Sequence, residues 1–411
     1  MARFTVGLSL CVLLAAPIGM AQVNPEYGVL PFSTNRFGVD LATGFVNISF
    51  PMRSKAGKIP FSSGMAGTSS AWPRIITSGP LTGKYQWFPS LVGTGQTQGF
   101  FYNDPTQLQL ATNPVDAGGG CYDQEDVVVY DRTGASHPFA VSWYTGSCPT
   151  SASGVATDGS GYTIVVTTNG QPTVYDKNGN FWVGTCIKTC HLKSTVTDAD
   201  GATITDGSTG GNNLVATDSL GQVVLTGTPV SGGSNWGSFS YTDINGTTQY
   251  YTLGYTTLPI ATNFACSNPY YLGTIYEYTS TGRPLLTSIT TPAGGEYSIS
   301  YEPTPGEGGS YTGRVAEITL PTGGSISYAY SGGNNGINCN SFVVPTLTVT
   351  VKDNNGNTSP WTYVNSNNSS NFPGNFTVSE TDPAGNQTVY SFAGEYQTQA
   401  VFNQGTSTTL K

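Results

Sequence analysis

Two histidines, seven cysteines and a thin scatter of carboxylates are the side chains from which this 411-residue chain would have to draw a reactive centre. Cys186-Ile187-Lys188-Thr189-Cys190-His191 has the residue types of a haem-attachment stretch but is one residue longer than Cys-x-x-Cys-His. A zinc site would need further ligands, so the stretch reads as a small disulfide loop followed by an ordinary histidine. His137 stands before Pro138 with no nucleophile pattern nearby, which favours a packed or surface role. Asp176, Asn178 and Asn180, or Asp353, Asn355 and Asn357, place oxygens at alternate positions as a calcium loop does. Neither run supplies the closing bidentate glutamate, and tight hairpin turns use the same residues for backbone reasons. Glu125 with Asp126, and Glu296 with Glu302, offer carboxylate pairs for glycoside cleavage, but they lie in turn or repeat contexts where solvated acids are the rule. No Gly-x-Ser-x-Gly elbow, phosphate loop or His-Glu-x-x-His occurs. The expectation is a chain without catalytic residues, cofactor or metal ligands.

Two other residue classes can carry function. Cys11 falls in an apolar leader, leaving Cys121, Cys148, Cys186, Cys190, Cys266 and Cys339. Six cysteines allow fifteen pairings; sequence order favours Cys121 with Cys148, Cys186 with Cys190, and Cys266 with Cys339. Trp143, Trp182, Trp236 and Trp361 could form sugar-stacking platforms on an exposed sheet. In a chain of hairpins, most such rings belong to the core or to cross-strand pairs.

The leader sets the compartment. Arg3, the apolar run Phe4 to Ala16 and the small-x-small site Gly19-Met20-Ala21 form a secretory signal at residues 1–21, leaving Gln22 as the mature terminus. The run is too short to span a bilayer, and Leu10 before Cys11 does not suit a lipid anchor. The expected location is secreted, periplasmic or at the cell surface of a bacterium. The formal charge of −9 comes from 24 acidic against 15 basic residues with no basic cluster, so no nucleic acid or anionic lipid partner is implied.

The elements that hold these residues are strands. With 53 Gly, 25 Pro and only 9% charged residues, the composition is that of many short strands joined by tight turns. From Gly282 to Ser331 one pattern is written twice. Gly282-Arg283, Thr291-Pro292-Ala293-Gly294-Gly295 and Tyr297-Ser298-Ile299-Ser300-Tyr301 return as Gly313-Arg314, Leu320-Pro321-Thr322-Gly323-Gly324 and Ile326-Ser327-Tyr328-Ala329-Tyr330. Tyr297, Ile299 and Tyr301 point one way and Ser298 and Ser300 the other, giving an aromatic face that must be covered. Asp176 to Asn180, Asp218 to Gly221, Asp243 to Gly246, Asp353 to Asn357 and Asp382 to Asn386 read as hairpin turns. Gly38 to Pro51 reads as a hairpin with one buried face, and a looser stretch follows to about Gly120. The expected organisation is a signal at 1–21, an N-terminal β region at 22–120, irregular hairpins with cysteine pairs at 121–270, and repeats at 271–411. The expected fold class is all-β: successive antiparallel hairpins forming a long curled sheet, a partial shell or sandwich-like, stapled by disulfides.

Tyr130-Asp131 with Gly134, Tyr175-Asp176 with Gly179-Asn180, Tyr278 with Gly282-Arg283, Pro292-Ala293-Gly294 and Tyr328-Ala329-Tyr330 resemble the bacterial YD-repeat, or Rhs-type, proteins. The resemblance is fullest over 271–394, and Leu41 to Ile48 is similar to the segment that precedes such repeats. Thr279 replaces the repeat's Asp after Tyr278, and Asp382-Pro383-Ala384-Gly385 continues with Asn386 where the family's core motif has Arg. The expectation from this resemblance is a partial or truncated N-terminal portion of such a protein. The resemblance implies a non-enzymatic sheet that spirals into a hollow shell, serving encapsulation, secretion or cell-surface interaction. Its partner would be the remainder of a longer repeat shell or another polypeptide. The competing reading is a carbohydrate-binding surface module for a cell-surface glycan, and a further one a polysaccharide-acting enzyme. Binding predicts exposed coplanar rings, an enzyme predicts facing carboxylates, and a shell predicts aromatics packed inward.

Overall fold

The computed structural model describes residues 37–55, 59–76, 79–92, 99–103, 105–131, 136–207, 213–231, 235–266, 274–367, 374–394, 396–405 and 408–409. The stretch 1–21 expected to be a secretory signal lies outside the described residues, as does most of the turn after Tyr130-Asp131. The fold is all-β. Among the described residues the one helical element is a 3-10 turn at Ser90–Val92.

A 21-stranded sheet runs in sequence order from Ala152–Val155 to Thr408–Thr409. One short strand leaves the order: Ile275–Tyr276 pairs instead with Tyr85–Pro89. Neighbouring strands are antiparallel, so alternate connections fall on the same rim. Short five-residue turns beginning at Asp176, Asp198, Asp218, Asp243, Thr291, Leu320, Asp353 and Asp382 line one rim. In each, the amide of the fourth residue donates to the first residue's carbonyl, and the first residue's amide donates to the carbonyl of the fifth. The Asp turns add a side-chain brace. Asp176 Oδ1 accepts the amides of Asn178 (2.8 Å) and Asn180 (2.9 Å), and Asp353 Oδ1 those of Asn355 and Asn357. The fourth residue is glycine throughout because its φ is positive, as at Gly179 (84°) and Gly356 (89°). The turn at Asp198, written Asp-Ala-Asp-Gly-Ala, obeys the same geometry and was not recognised from the sequence.

The other rim carries the longer connections, such as 304–310 and 332–345. Here the sheet bends far enough for Ile260 to pair with Tyr311, three strands further along the order. The cysteines pair as sequence order favoured: Cys121–Cys148, Cys186–Cys190 and Cys266–Cys339. The last joins two long connections of this rim. Residues 105–146 add a small sheet of Gln109–Gly118, Cys121–Tyr130, Ser136–Pro138 and Trp143–Gly146. It is latched to the Cys186–Cys190 loop through Gln124 and Thr145, which donate to the carbonyls of Lys188 (3.1 Å) and Ile187 (2.6 Å).

The duplicated stretch forms two hairpins, Thr279–Thr290 with Glu296–Pro303 and Tyr311–Thr319 with Ser325–Ser331. The first copy alternates as read, with Ile299 and Tyr301 buried and Ser298 and Ser300 exposed. In the second, Tyr328 is buried and Ala329 exposed, but Ser325 is buried while Ile326 is half-buried, against the expected Ile326, Tyr328 and Tyr330 face. The expectation for Gly38 to Pro51 needs correction. Phe45 and Asn47 are buried as well as Val46, Ile48 and Phe50, so both faces are covered as far as Ile48, beyond which Ser49 and Pro51 are exposed. The strand also has an edge partner that the sequence did not reveal. Val46–Lys55 pairs along its length with Phe61–Ser69, which pairs in turn with Phe101–Asn103, inside the stretch read as loose.

Candidate functional site

The inner, aromatic face of the large sheet is the molecule's principal site, and the described parts of residues 37–103 lie along it. Tyr102 stacks on Phe239 (5.1 Å between ring centres). The Arg53 guanidinium sits over the Tyr241 ring at 4.2 Å, and the Tyr251 hydroxyl donates to the Met52 carbonyl. Further along, Phe50 meets Tyr297 (5.3 Å) and Trp87 meets Phe264 (4.8 Å). Ser69 Oγ accepts the Val315 amide (2.8 Å) and lies 2.9 Å from the Tyr330 hydroxyl. At the far end the carbonyls of Thr43 and Ala42 accept from the Val344 amide (2.7 Å) and Asn365 Nδ2 (2.8 Å), and Phe37 meets Trp361. These contacts carry polar bonds from backbone groups that would otherwise be orphaned in an apolar interior. The face grips a polypeptide by main chain as well as by rings. Burial pushes the Tyr301, Tyr328 and Tyr330 phenols above the ordinary tyrosine range.

The repeat's Gly-Arg pair has a specific task in its second copy. Gly313 has φ +85°, and a Cβ there would stand 2.6 Å from Val92 Cγ2 and 2.7 Å from Pro89 Cβ. Only glycine lets the strand approach the N-terminal segment this closely. Arg314 is completely buried. Its Nε and Nη2 donate to Glu302 Oε2 (2.7 Å) and Oε1 (2.9 Å), and its Nη1 and Nη2 donate to the carbonyls of Gly336 and Asn335. Tyr330 lies 4.2 Å below the guanidinium and Phe264 5.0 Å from it. A bidentate ion pair with its remaining donors satisfied can survive burial. The sequence marked Gly313-Arg314 as repeat text without indicating its partner. It also missed Glu380, buried and bonded by the hydroxyls of Tyr363 (3.3 Å) and Tyr390 (2.9 Å).

The sequence-derived candidates fall as follows. Trp143, Trp182 and Trp236 are 1%, 6% and 7% exposed, so their rings pack the core and present no platform; Trp361 is half-buried. The sugar-stacking reading of the first three is corrected accordingly: hairpin pairing turns them to the covered face. Cys186 and Cys190 are bonded to each other, and His191 is exposed with its Nε2 3.2 Å from Thr189 Oγ1. In the calcium-like turns, Asn180 and Asn357 point amide N–H groups at Asp176 and Asp353 (2.8 and 2.7 Å), so those carboxylates are engaged by donors of their own turn. Glu302 is held by Arg314, while Glu296 is exposed beside Thr290 and Ser298. Among the described residues no three His, Cys, Asp or Glu side chains converge as a metal site would require.

His137 is buried at the seam between the small sheet and the first strand of the large one. Its Nδ1 lies 2.7 Å from Asp158 Oδ2, its Nε2 3.6 Å from Asp131 Oδ2, and its ring 4.4 Å from that of Tyr162. Burial alone would lower its pKa, but the bonds and charges of Asp131 and Asp158 outweigh it and raise the pKa above 6.5. A raised folded pKa means that the stabilisation is complete below the unfolded value and fades as pH rises through the folded one. The thermal midpoint of the protein relative to His137→Gln is therefore expected to be greatest near pH 5.5 to 6 and to shrink through neutrality. A difference that grows with pH would contradict the assignment.

No protein-family model matches the sequence, and none of the curated proteins does. Among solved structures, the chain is similar to the crystal structure of TcdB2-TccC3-TEV at 11% identity and a TM-score of 0.20. The likeness covers 94% of this chain and 23% of that one, so the chain spans less than a quarter of its neighbour's length. Fold and site together define an all-β, disulfide-stapled sheet of successive hairpins that lodges its own N-terminal segment on its aromatic face. No helix among the described residues is long and apolar enough to cross a membrane.

Proposed function

We propose that this is an exported, non-enzymatic β-repeat protein of the YD-repeat kind, built to hold an extended polypeptide against the inner face of a partial shell. The single observation that carries the reading is the occupation of that face by residues 37–103, through ring contacts and main-chain bonds alike. Tyr297, Tyr330 and Gly313 of the repeat serve this contact. Of the carboxylates suggested for catalysis, Glu302 is in an ion pair with Arg314, and Glu125, Asp126 and Glu296 are exposed on strands. The signal-like start supplies the export part of the reading, whose signature is a mature chain beginning at Gln22. In this account the remainder of a longer shell, or another polypeptide, continues the same lining.

The holding function can be tested by severing the connection. The turn Gly118-Gly119-Gly120 is exposed. All three disulfides lie C-terminal to it, so no disulfide links the two sides. A protease site placed at Gly119 and cut in the folded protein is expected to yield two fragments that co-elute under native conditions and separate only in denaturant. Release of the N-terminal fragment without denaturant would overturn the reading.

A further inference from the structure

Several Asn-x-Ser/Thr triplets, the acceptor pattern for N-linked glycans in exported proteins, are scattered through the chain. The structure sorts them. Asn47 is buried, with its Oδ1 accepting from Thr68 Oγ1. Asn357 and Asn386 donate their side-chain amide nitrogens, the atoms that would be modified, to Asp353 (2.7 Å) and Asp382 (3.0 Å). Asn375 is exposed, but the next residue, Phe376, is buried and stacked on Phe392 at 4.8 Å, so this triplet cannot lift from the sheet without emptying the core. The triplets beginning at Asn367 and Asn368 extend beyond the described residues.

Asn245-Gly246-Thr247 differs from all of these. It forms the tip of the turn beginning at Asp243, where Ile244, Asn245, Gly246 and Thr247 are all exposed. The Asn245 side-chain amide meets no partner among the described residues. Its backbone is nonetheless fixed, because Asp243 Oδ1 accepts the amides of Asn245 and Thr247 at 2.9 Å each. The middle residue is glycine, which anchors nothing in the core, so the exposed tip presents Asn245 and Thr247 without a bulky neighbour between them. A second feature of this rim fits a covering group. Ile244 is 98% exposed, and on the next turn along the rim Leu220 is 81% exposed, apolar tips that the protein itself leaves in water.

We propose that Asn245 is an acceptor for an N-linked oligosaccharide, which shields the apolar tips of this rim. The inference rests on the export reading, because the transferase and its donor meet only exported chains. The donor class is an oligosaccharide on a lipid diphosphate. Asn245 Nδ2 forms the bond to the anomeric carbon, the bond from that carbon to the diphosphate breaks, and the amide proton passes to a base of the transferase.

The test is mass spectrometry of the exported protein from its own cells, reading the mature terminus and the peptide containing Asn245 together. The expected result is a chain beginning at Gln22 with a hexose- or hexosamine-containing addition on Asn245. Asn245→Gln and Thr247→Ala should each abolish that addition, with the thermal midpoint retained as a check on folding. A chain that begins at Gln22 with Asn245 bare, or with sugar only at Asn375, overturns the glycan site and leaves export standing. A chain that keeps its leader overturns both.

Discussion

Arg314→Met is expected to lower the stability of the protein by about 3–5 kcal/mol, read as a fall in the denaturant midpoint. The substitution keeps most of the side-chain volume between Tyr330 and Phe264 but removes the charge, so Glu302 keeps a carboxylate in a largely buried site without its bidentate donor. The carbonyls of Gly336 and Asn335 lose their donors too. Breaking one side of such a pair costs far more than replacing both, so Arg314→Met with Glu302→Leu should recover much of the loss. A single-variant loss below about 1 kcal/mol, the range of surface ion pairs, would show that the pair is solvated.

Trp87→Ala should be comparably damaging, at about 3–5 kcal/mol, because a fully buried indole leaves a cavity. Trp87 is the ring through which the N-terminal segment meets the long connections of the sheet: it packs edge-on against Phe264 and Phe342, and Trp72 meets Phe342 from beside it. The variant should lose the segment's grip before the sheet itself melts. Trp361→Ala, at a half-buried ring against Phe37, should cost distinctly less. Equal losses at the two positions would contradict the burial difference on which the account relies.

What the sequence disclosed were the local rules. Asp and Gly at fixed offsets foretold turns because the carboxylate and the positive φ act within five residues. Tyr and Ile alternating with Ser foretold the covered face for the same local reason, and the cysteine pairs follow sequence order. The occupant of that face was not legible. Phe61–Ser69 is small and polar in composition, with no period, yet it is buried on both sides. Its small residues are what close packing there requires: a Cβ on Gly64 would stand 2.5 Å from the Phe50 carbonyl oxygen, and one on Gly67 2.8 Å from Leu91 Cδ2. A strand covered on both faces has no amphipathic signature to read. Arg314 was hidden differently, since its importance lies in Glu302 and in carbonyls contributed by another connection. The tryptophans show the converse: ring type suggested a binding platform, and burial assigned three of them to the core.

The central claim is that residues 37–103 are an integral lining of the sheet. Hydrogen exchange on the intact protein tests it most directly. Amides in Val46–Lys55 and Phe61–Ser69 should exchange as slowly as those in Glu296–Pro303 and Tyr311–Thr319, in one cooperative step with them. Exchange of those two N-terminal strands as rapid as that of the exposed turns, while the repeat strands stay protected, would contradict the account.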